Sequence, residues 1–472
     1  MQRRKMKNSG AVRPFGYLHF LPRVLAFLLA LGAMISLIVI YGNGKAALAS
    51  ASYSEKVQMS LEISEGEDYE NNASYSERFN ALSEPVFVSS DGVALTGSGV
   101  TIGNAFYNLL GYSSTSETRY LVDVYGDSAE MQHYSVLTGI RGAADNQTEI
   151  TLTLNAGLQQ HMYDYLTANG VEGFVLAYDY NTGDILCSVS TPGASSTDDV
   201  STLVSGSLLN KSLYSTNPGS TMKIVTLLLL ADQGTDLSSL AYTCTGSYTL
   251  EDGTTITCSG VHGTLDAAGA VAASCNAWFA QAVTQNLTKS EIISTLEALG
   301  FSVNNSSASA SIGKVTVSPG SIQIRTYSQW TFTDVFSLCG ETTVTVEPAL
   351  MIQLAAACVS DTICSPVFLA EEEGTASTVF DEYRDALSAV STVWQESSPA
   401  IAAGHSEALT VCKTGTYENS DGSVQKNFFG ASASLQVAFY VACENYRDED
   451  GTTLAVMPAD VADELLGWLS GT

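Results

Sequence analysis

The chain has 472 residues, of which 45% are hydrophobic, 39 are glycine and 10 are proline. This composition is typical of a globular protein with room for one large domain and smaller accessory parts, and it excludes a disordered or fibrous chain. Acidic residues outnumber basic ones by 49 to 20, and six of the basic residues precede residue 24. Because so acidic a body would be repelled by phosphate backbones, we expect no nucleic-acid binding.

The N-terminal region contains one long uncharged apolar stretch. Residues 24–41 (VLAFLLALGAMISLIVIY) follow a basic tail, residues 1–23. This length matches a bilayer core, and the basic flank predicts a single-pass transmembrane helix with a cytoplasmic N-terminus. A cleaved signal peptide is the alternative, because Ala47 and Ala49 have the spacing of a cleavage site. Either interpretation places the bulk of the chain outside the cytoplasm, at the cell membrane if the helix is retained.

Two segments separate this stretch from the main domain. Residues 42–85 are rich in Ser, Glu, Asn and Tyr, which predicts a linker or mobile segment. In residues 86–148 short apolar pieces alternate with turn residues, which predicts a small mixed domain. The pattern changes at Glu149, and residues 149–472 predict one large domain.

The large domain begins with a strand-like segment at Glu149. Asn155 is a candidate N-cap for an amphipathic helix over residues 156–167. Residues 173–190 predict a β-hairpin around the turn at residues 181–184. Near the end of the chain, the pattern predicts a strand followed by a closing helix, over residues 434–445 and 459–469.

The nine cysteines form no C-x-x-C pair and have no histidine-rich partner, so we expect no metal site and no cofactor. Four lie in apolar runs and predict buried core residues: Cys187, Cys358, Cys412 and Cys443. Cys244 and Cys258 bracket a hairpin-like polar stretch, and whether they form a disulfide stays open. We expect a structural role for His262.

The first candidate motif is Ser220-Thr221-Met222-Lys223, which follows Asn-Pro-Gly and precedes the apolar run IVTLLLLA. Proline and glycine interrupt the incoming chain, and the run predicts a buried helix. Positions i and i+3 share a helix face, so the Lys223 amine can lie beside the Ser220 hydroxyl. Serine is a weak nucleophile until a base takes its proton, and burial can lower a lysine pKa enough for that task.

The same S-x-x-K spacing occurs twice more, and its context separates these copies from the first. Ser311 leads into the strand-like KVTVS, where residues three apart point to opposite faces, and Ser423 lies in the turn DGS. For Ser220 the alternative is a helix-capping serine near a surface lysine.

The second motif is Ser274-Cys275-Asn276, in a break between two apolar helical stretches. Its two polar side chains can point into one cavity, and an ordinary helix cap is the alternative. The third motif, Lys413-Thr414-Gly415-Thr416, directly follows the strand-like ALTVC.

The third motif suits a substrate that carries a carboxylate. Gly415 lacks a Cβ, so a substrate backbone can lie along this strand edge. Lys413 supplies a positive charge, and Thr414 or Thr416 supplies a hydroxyl for the carboxylate. A solvent-facing turn is the alternative interpretation.

Together, and in this order, the three motifs resemble the signature set of penicillin-binding proteins and class A β-lactamases. Residues 149–472 resemble the transpeptidase domain of a class B penicillin-binding protein, in runs such as TLTLNAGLQQHMYDYL, NKSLYSTNPGSTMKIVT and CSGVHGTLDAAGAVAASCNAWF. The resemblance implies an α/β serine β-lactamase/transpeptidase-like fold, with an antiparallel sheet flanked by helices. It also implies an N-terminal transmembrane helix and a small pedestal domain at residues 86–148.

The resemblance assigns a role to each motif residue. Ser220 would be the acylated nucleophile and Lys223 its general base, while Ser274 and Asn276 would complete the proton relay and hold a substrate amide. Lys413 would tune the site electrostatically. The remaining roles are the carboxylate contacts of Thr414 and Thr416, beside Gly415, and an oxyanion hole formed by the backbone amides of Ser220 and Thr416.

The implied reaction is D,D-transpeptidation of peptidoglycan stem peptides that end in D-Ala-D-Ala, with β-lactams as inhibitors. The implied partner is a polytopic membrane glycosyltransferase, in a process of cell shape or division. A D,D-carboxypeptidase or β-lactamase would share the motifs and use water as the acyl acceptor. A β-lactam sensor and a catalytically idle scaffold of a wall-synthesis complex are alternatives outside this enzyme class.

Overall fold

The structure is a computed structural model that describes residues 24, 26–38, 86–97, 99–111, 121–122, 124–125, 149–327, 329–372, 374–447 and 450–471. The predicted tail, residues 1–23, and the predicted linker, residues 42–85, lie outside these ranges, as does much of the predicted pedestal, residues 86–148. The chain divides into two compact units, and the larger one comprises Ala81–Gln132 and Asn146–Thr472.

Part of the predicted membrane span is described. Residues 26–38 are helical, and their side chains are exposed. Within the described ranges, no helix combines the length and the apolar character needed to cross a bilayer. Residues 25 and 39–41 of the predicted span are outside those ranges, so the span stays a prediction.

The helices and strands of the larger unit follow one another in short segments up to residue 322. In chain order these are β1 (Val86–Val88), α1 (Tyr107–Leu110), β2 (Glu149–Thr151), α2 (Ala156–Ala168), β3 (Gly173–Asp179), β4 (Ile185–Thr191), α3 (Met222–Asp232), β5 (Ala241–Cys244), β6 (Ser247–Thr249), β7 (Thr255–Thr257), β8 (Gly263–Asp266), α4 (Ala267–Ala272), α5 (Asn276–Asn286), α6 (Lys289–Ala298), β9 (Ser302–Val303), β10 (Ala310–Ile312), β11 (Val315–Val317) and β12 (Ser321–Ile322).

Longer elements dominate the C-terminal part. They are α7 (Phe332–Leu338), α8 (Pro348–Ala357), α9 (Arg384–Ile401), β13 (Val411–Glu418), β14 (Val424–Ser432), β15 (Val437–Arg447) and α10 (Pro458–Ser470). The predicted hairpin is present as β3 and β4, and the predicted closing strand and helix are β15 and α10. The side chain of Asn155 accepts a hydrogen bond from the amide of Leu158, as expected of an N-cap.

One five-stranded sheet organises the domain. Its strand order is β13-β14-β15-β3-β4, and every neighbouring pair is antiparallel. Strands β3 and β15 lie inside the sheet and are buried almost throughout, which explains their nearly continuous apolar sequence. Helices α2 and α10 contact each other and the sheet, while α8 and α9 contact β13, β14 and β15. This is the predicted antiparallel sheet flanked by helices.

The chain ahead of the sheet domain is joined to it by backbone and side-chain contacts. Strand β1 pairs in parallel with β2. The carboxylate of Asp91 accepts hydrogen bonds from the amides of Ala156 (2.8 Å) and Gly157 (3.1 Å) at the start of α2. A carboxylate at this position accepts hydrogen bonds from amides that the helix leaves unpaired, and its negative charge is stabilised by the positive end of the helix dipole.

All nine cysteines are free thiols in the structure. The four cysteines predicted to lie in the core are buried, which confirms that prediction. Cys244 and Cys258 do not form a disulfide with each other.

Candidate active site

Ser220 lies at the entrance to helix α3. A single 3-10 turn, Gly219–Thr221, runs directly into the helix. This geometry puts Ser220 and Lys223 on one side, and Lys223 Nζ donates a hydrogen bond of 2.5 Å to Ser220 Oγ. Lys223 Nζ also donates to the backbone oxygen of Cys339 at 3.2 Å. The structure thus brings the first motif together as a nucleophile paired with a base.

The environment of Lys223 favours its neutral form. Its side chain is fully buried at the start of the apolar helix. Burial lowers the pKa of Lys223, because the charged ammonium loses its hydration there. A neutral amine beside the hydroxyl can accept the serine proton as the oxygen attacks a carbonyl.

The turn that carries Ser220 is packed against two other backbone segments. Gly219 has a positive φ of 52°, and a Cβ added to it would lie 2.5 Å from the backbone nitrogen of Thr416. Gly340 is equally tight, since a Cβ on it would lie 1.6 Å from the backbone oxygen of Gly219. Only glycine allows this approach. The close packing puts the backbone of Thr416 beside the serine turn, where the predicted oxyanion hole requires it.

Two polar side chains on β14 hold the chain that leads into Ser220. Asn427 Nδ2 donates to the backbone oxygens of Asn217 (2.7 Å) and Pro218 (3.0 Å). Gln425 Nε2 donates to Asn217 O at 3.0 Å and to Asn427 Oδ1 at 2.9 Å. Both side chains are buried. The sequence analysis missed these residues, and the local signal was a pair of polar side chains two residues apart, on one face of a strand whose second half is mostly apolar.

The second motif meets the third through one hydrogen bond. Lys413 Nζ donates to Ser274 Oγ at 3.2 Å and to the backbone oxygen of Thr414 at 2.8 Å. Ser274 has a positive φ of 50°, an uncommon conformation for a residue with a side chain. Asn276 begins helix α5, and its side chain donates to the backbone oxygen of Thr257 at 3.2 Å. The structure therefore brings Ser274 to Lys413 and places the Asn276 amide against the last residue of β7.

Lys413 is a second fully buried lysine close to the first. Burial, and after it the nearby amine of Lys223, together lower the pKa of Lys413 to about 7. The two amines therefore influence each other across the site. Since a group with a pKa near neutrality exchanges protons readily at physiological pH, Lys413 and Ser274 can form a proton path beside Ser220.

The third motif lies on β13, which is an edge strand of the sheet. Side chains alternate along it, so Lys413 and Gly415 are buried while Thr414 and Thr416 are exposed. The exposed hydroxyls and the unpaired outer edge can receive an extended peptide with a terminal carboxylate.

Gly415 packs against the protein backbone, and not against a substrate as the sequence analysis had suggested. A Cβ on Gly415 would lie 2.3 Å from the backbone oxygen of Pro218 and 2.9 Å from Thr221. The space that its missing side chain leaves is filled by the serine turn and not by a substrate. Glycine is required here because β13 packs directly on the chain that carries the nucleophile.

The two other S-x-x-K copies form no such arrangement. Ser311 lies in β10 opposite Thr316, and Lys314 pairs with the carboxylate of Glu372 at 3.5 Å. The hydroxyl of Ser423 donates to Asp421 Oδ1 in a turn. The expected distinction between these copies and Ser220 agrees with the structure.

Comparisons with known proteins agree with the fold. The model of the family described as "Penicillin binding protein transpeptidase domain" matches residues 173–457. No curated protein matches the sequence. Among solved structures, the chain is similar to penicillin-binding protein A of Mycobacterium tuberculosis, with 18% identity, a TM-score of 0.64, and coverage of 82% of this chain and 99% of that one.

Two further structures show the same likeness. The imipenem acyl-enzyme complex of the M. tuberculosis protein has 16% identity and a TM-score of 0.67, over 84% of this chain and 100% of that chain. The D,D-transpeptidase domain of a peptidoglycan glycosyltransferase from Eggerthella lenta has 18% identity and a TM-score of 0.61, over 81% and 97%. At these identities the structural neighbours show the fold. The family match covers more than half of the chain, and we conclude that the chain belongs to the penicillin-binding protein transpeptidase family.

Proposed function

We propose that this chain is a membrane-anchored D,D-transpeptidase that cross-links peptidoglycan stem peptides through an acyl-Ser220 intermediate. The observation that carries the proposal is the 2.5 Å hydrogen bond from the buried amine of Lys223 to Ser220 Oγ. The other two motifs lie around this pair. Their arrangement supplies the nucleophile, base, proton path and anion-binding edge that acyl transfer requires.

In the acylation step, Ser220 Oγ attacks the carbonyl carbon between the two terminal D-Ala residues of the donor stem. Neutral Lys223 takes the hydroxyl proton, and the oxygen of the tetrahedral intermediate receives hydrogen bonds from the backbone amides of Ser220 and Thr416. The peptide bond then breaks. The last D-Ala leaves with a proton on its nitrogen, and an ester joins the stem to Ser220.

In the second step, the amine of a neighbouring stem attacks the ester. A new amide bond forms, and the proton that the attacking nitrogen loses returns to Ser220 Oγ. The contact between Lys413 and Ser274 supports a relay for this proton. Thr414 and Thr416 are exposed on the edge strand and suit the donor's terminal carboxylate.

A β-lactam would enter by the same route. Its strained amide is attacked by Ser220, and the ring-opened product stays attached as an ester because no leaving group departs. The M. tuberculosis relative has been solved as acyl-enzyme complexes with imipenem and with penicillin G. We extend the same chemistry to this chain because its three motifs and its fold match those of the family.

Membrane attachment through residues 24–41 and a pedestal role for residues 86–148 belong to the same proposal. The apolar side chains of the described part of that span, including Phe27, Leu29 and Leu37, are more than 60% exposed, which suits a lipid environment. The proposed partner is a polytopic membrane glycosyltransferase that supplies glycan chains during growth or division. Retention of the full-length chain in membranes after alkaline extraction, and its release when residues 24–41 are deleted, would test the anchor.

The deciding experiment is intact-protein mass spectrometry of the purified full-length chain after incubation with penicillin G. We expect a mass gain of one drug molecule, absent from Ser220→Ala and retained by Ser311→Ala, which alters a serine with the same S-x-x-K spacing outside the site. No adduct on the folded wild-type chain would favour an idle scaffold.

A second measurement separates the transpeptidase from a hydrolase. The chain is incubated with a donor stem that ends in D-Ala-D-Ala and with an acceptor stem that carries a free amine, and the products are identified by mass. Formation of the cross-linked dimer supports the transpeptidase, whereas release of the hydrolysed stem alone would reassign the enzyme as a carboxypeptidase.

A further inference from the structure

Four metal-binding side chains converge beside the second motif. Cys244, Cys258, His262 and Cys275 each direct one ligand atom to a common point, and these four atoms all lie within 4.8 Å of one another. We call this group the sulfur cluster. Its members come from separate segments: the end of β5, the loop after β7, the residue before β8, and the cap of α5. The proposed transpeptidase reaction uses none of them.

Three of the six distances within the sulfur cluster match those of a tetrahedral zinc site. Zinc binds thiolate sulfur at about 2.3 Å and imidazole nitrogen at about 2.0–2.1 Å, so ligand sulfurs lie about 3.8 Å apart and sulfur and nitrogen about 3.5 Å apart. In the structure, Cys258 Sγ lies 3.7 Å from Cys275 Sγ. His262 Nδ1 lies 3.5 Å from both Cys244 Sγ and Cys258 Sγ.

Backbone amides support the sulfurs in the way that metal thiolates require. The amide of Gly246 donates to Cys244 Sγ at 3.4 Å, and the amide of Trp278 donates to Cys275 Sγ at 3.4 Å. Gly246 has a positive φ of 99°, which lets the chain turn back on the sulfur two residues earlier. Such N–H donors orient ligands and stabilise their negative charge.

We propose that the sulfur cluster binds one structural zinc ion, through three thiolate sulfurs and Nδ1 of the imidazole. Binding releases the thiol protons to solvent, and the three thiolates with one neutral imidazole complete a closed four-coordinate site. The ion would join the small β5–β8 region to the start of α5. The sequence analysis expected no metal, because the four ligands are far apart in the chain and only Cys258 and His262 are close, four residues apart.

The site has a consequence for the second motif, and this part rests on the proposed function. Cys275 stands between Ser274 and Asn276, so a metal on its sulfur would fix the backbone from which both side chains project. Ser274 receives the hydrogen bond of Lys413, and Asn276 holds the segment at Thr257. The zinc ion would act as a positioning element for the second motif and would touch no substrate.

The test is the metal content of the purified full-length chain, measured by inductively coupled plasma mass spectrometry after reconstitution with zinc and removal of excess metal. We expect one zinc per chain in the wild type, and nearly none in Cys258→Ser and His262→Ala. The matched control is Cys364→Ser, which alters a partly exposed cysteine that donates to Asn181 O away from the cluster, and it should keep the full zinc content. A wild-type chain that retains no zinc would overturn the proposal.

Two further readouts apply to the wild type alone, so they hold even where a variant does not fold. Cobalt substitution should give the intense visible absorption of a tetrahedral thiolate site, and absence of this band would contradict the assignment. Thiol titration of the denatured, metal-stripped chain should find nine cysteines. A count of seven would show a disulfide in place of the metal.

Penicillin acylation tests the positioning role separately. A chelator-stripped chain should acylate at least several-fold more slowly and recover when zinc is added, and an unchanged rate would remove the positioning role. Ser220→Ala should not acylate and should still hold one zinc. Failure of the metal site can therefore be told from failure of the proposed transpeptidase chemistry.

Discussion

The amine of Lys223 lies 2.5 Å from the hydroxyl of Ser220, in direct hydrogen-bond contact, and the lysine side chain is fully buried. The pair combines a nucleophile with a base whose pKa burial has lowered. Replacing Lys223 by Gln should therefore slow penicillin acylation by about 10²- to 10⁴-fold, the usual contribution of a general base.

The pH dependence of acylation distinguishes this role from a structural one. In the wild type, the rate should rise with pH through the lowered pKa of Lys223, as the neutral amine forms. Lys223→Gln should show no such rise. Lys314→Gln, which alters the lysine of another S-x-x-K copy, should leave both the rate and its pH profile unchanged. A wild-type profile retained by Lys223→Gln would assign the base to another residue.

The lowered pKa of Lys413 should make the stability of the protein depend on pH. Its pKa is about 7 in the folded chain against 10.5 for an ordinary lysine, so between these values the unfolded chain binds more protons. The free energy of unfolding must then rise with pH across this window, and the contribution is lost as pH falls through 7. Lys413→Met should flatten the rise in Tm between pH 7 and pH 10, whereas Lys314→Met should keep it. Parallel curves for the wild type and Lys413→Met would contradict the lowered pKa.

Adding a single methyl group at Gly219 should strongly affect both stability and acylation. Gly219→Ala places a Cβ 2.5 Å from Thr416 N at a φ of 52°, so the serine turn or β13 must move. We expect the free energy of unfolding to fall by about 1–3 kcal/mol because of the backbone strain. The acylation rate of the folded protein should also fall, because the amides of the proposed oxyanion hole move apart. The control is Gly103→Ala, since nothing lies within 4 Å of the added Cβ there. Normal acylation by Gly219→Ala would show that the turn tolerates displacement.

Replacing Asn427 should disturb the position of the chain that leads into Ser220 without removing a reacting group. Asn427→Ala removes one donor from each of the backbone oxygens of Asn217 and Pro218, which keep the hydrogen bonds of Gln425 and Thr221, so we expect a cost of about 0.5–1.5 kcal/mol per lost bond. The acylation rate at saturating penicillin should fall, while the mass of the adduct stays the same. The matched control is Asn419→Ala, which alters a half-buried asparagine that donates to Ser423 in the turn between β13 and β14. An unchanged saturating rate would limit Asn427 to a structural role.

The sequence predicted those parts of the site that depend on local spacing. Ser220 and Lys223 are three residues apart in a 3-10 turn that runs directly into α3, so their contact follows from helical spacing. The strand positions of Thr414 and Thr416 likewise follow from the period of two in a strand. The three motifs could be ordered into one site because their combination resembles a known family.

What the sequence did not predict depends on packing between distant segments. Gly415 faces Pro218, and no pattern around residue 415 indicates which backbone approaches it. The donors on β14 act on a loop 209 and 210 residues earlier in the chain. The sulfur cluster escaped notice for the same reason, because its four ligands become neighbours only when β5, β8 and α5 pack together.

The contacts of Asp91 and β1 decide where the chain can be shortened. A truncation that begins at Glu149 would keep every catalytic motif, yet it would leave β2 without its parallel partner and the amides of Ala156 and Gly157 without their carboxylate. A soluble form that begins upstream of Val86 retains all of these contacts. When both forms are secreted, the form that begins at Glu149 should therefore yield a smaller amount of protease-resistant protein than the longer form. The family match begins only at residue 173 and does not indicate this boundary.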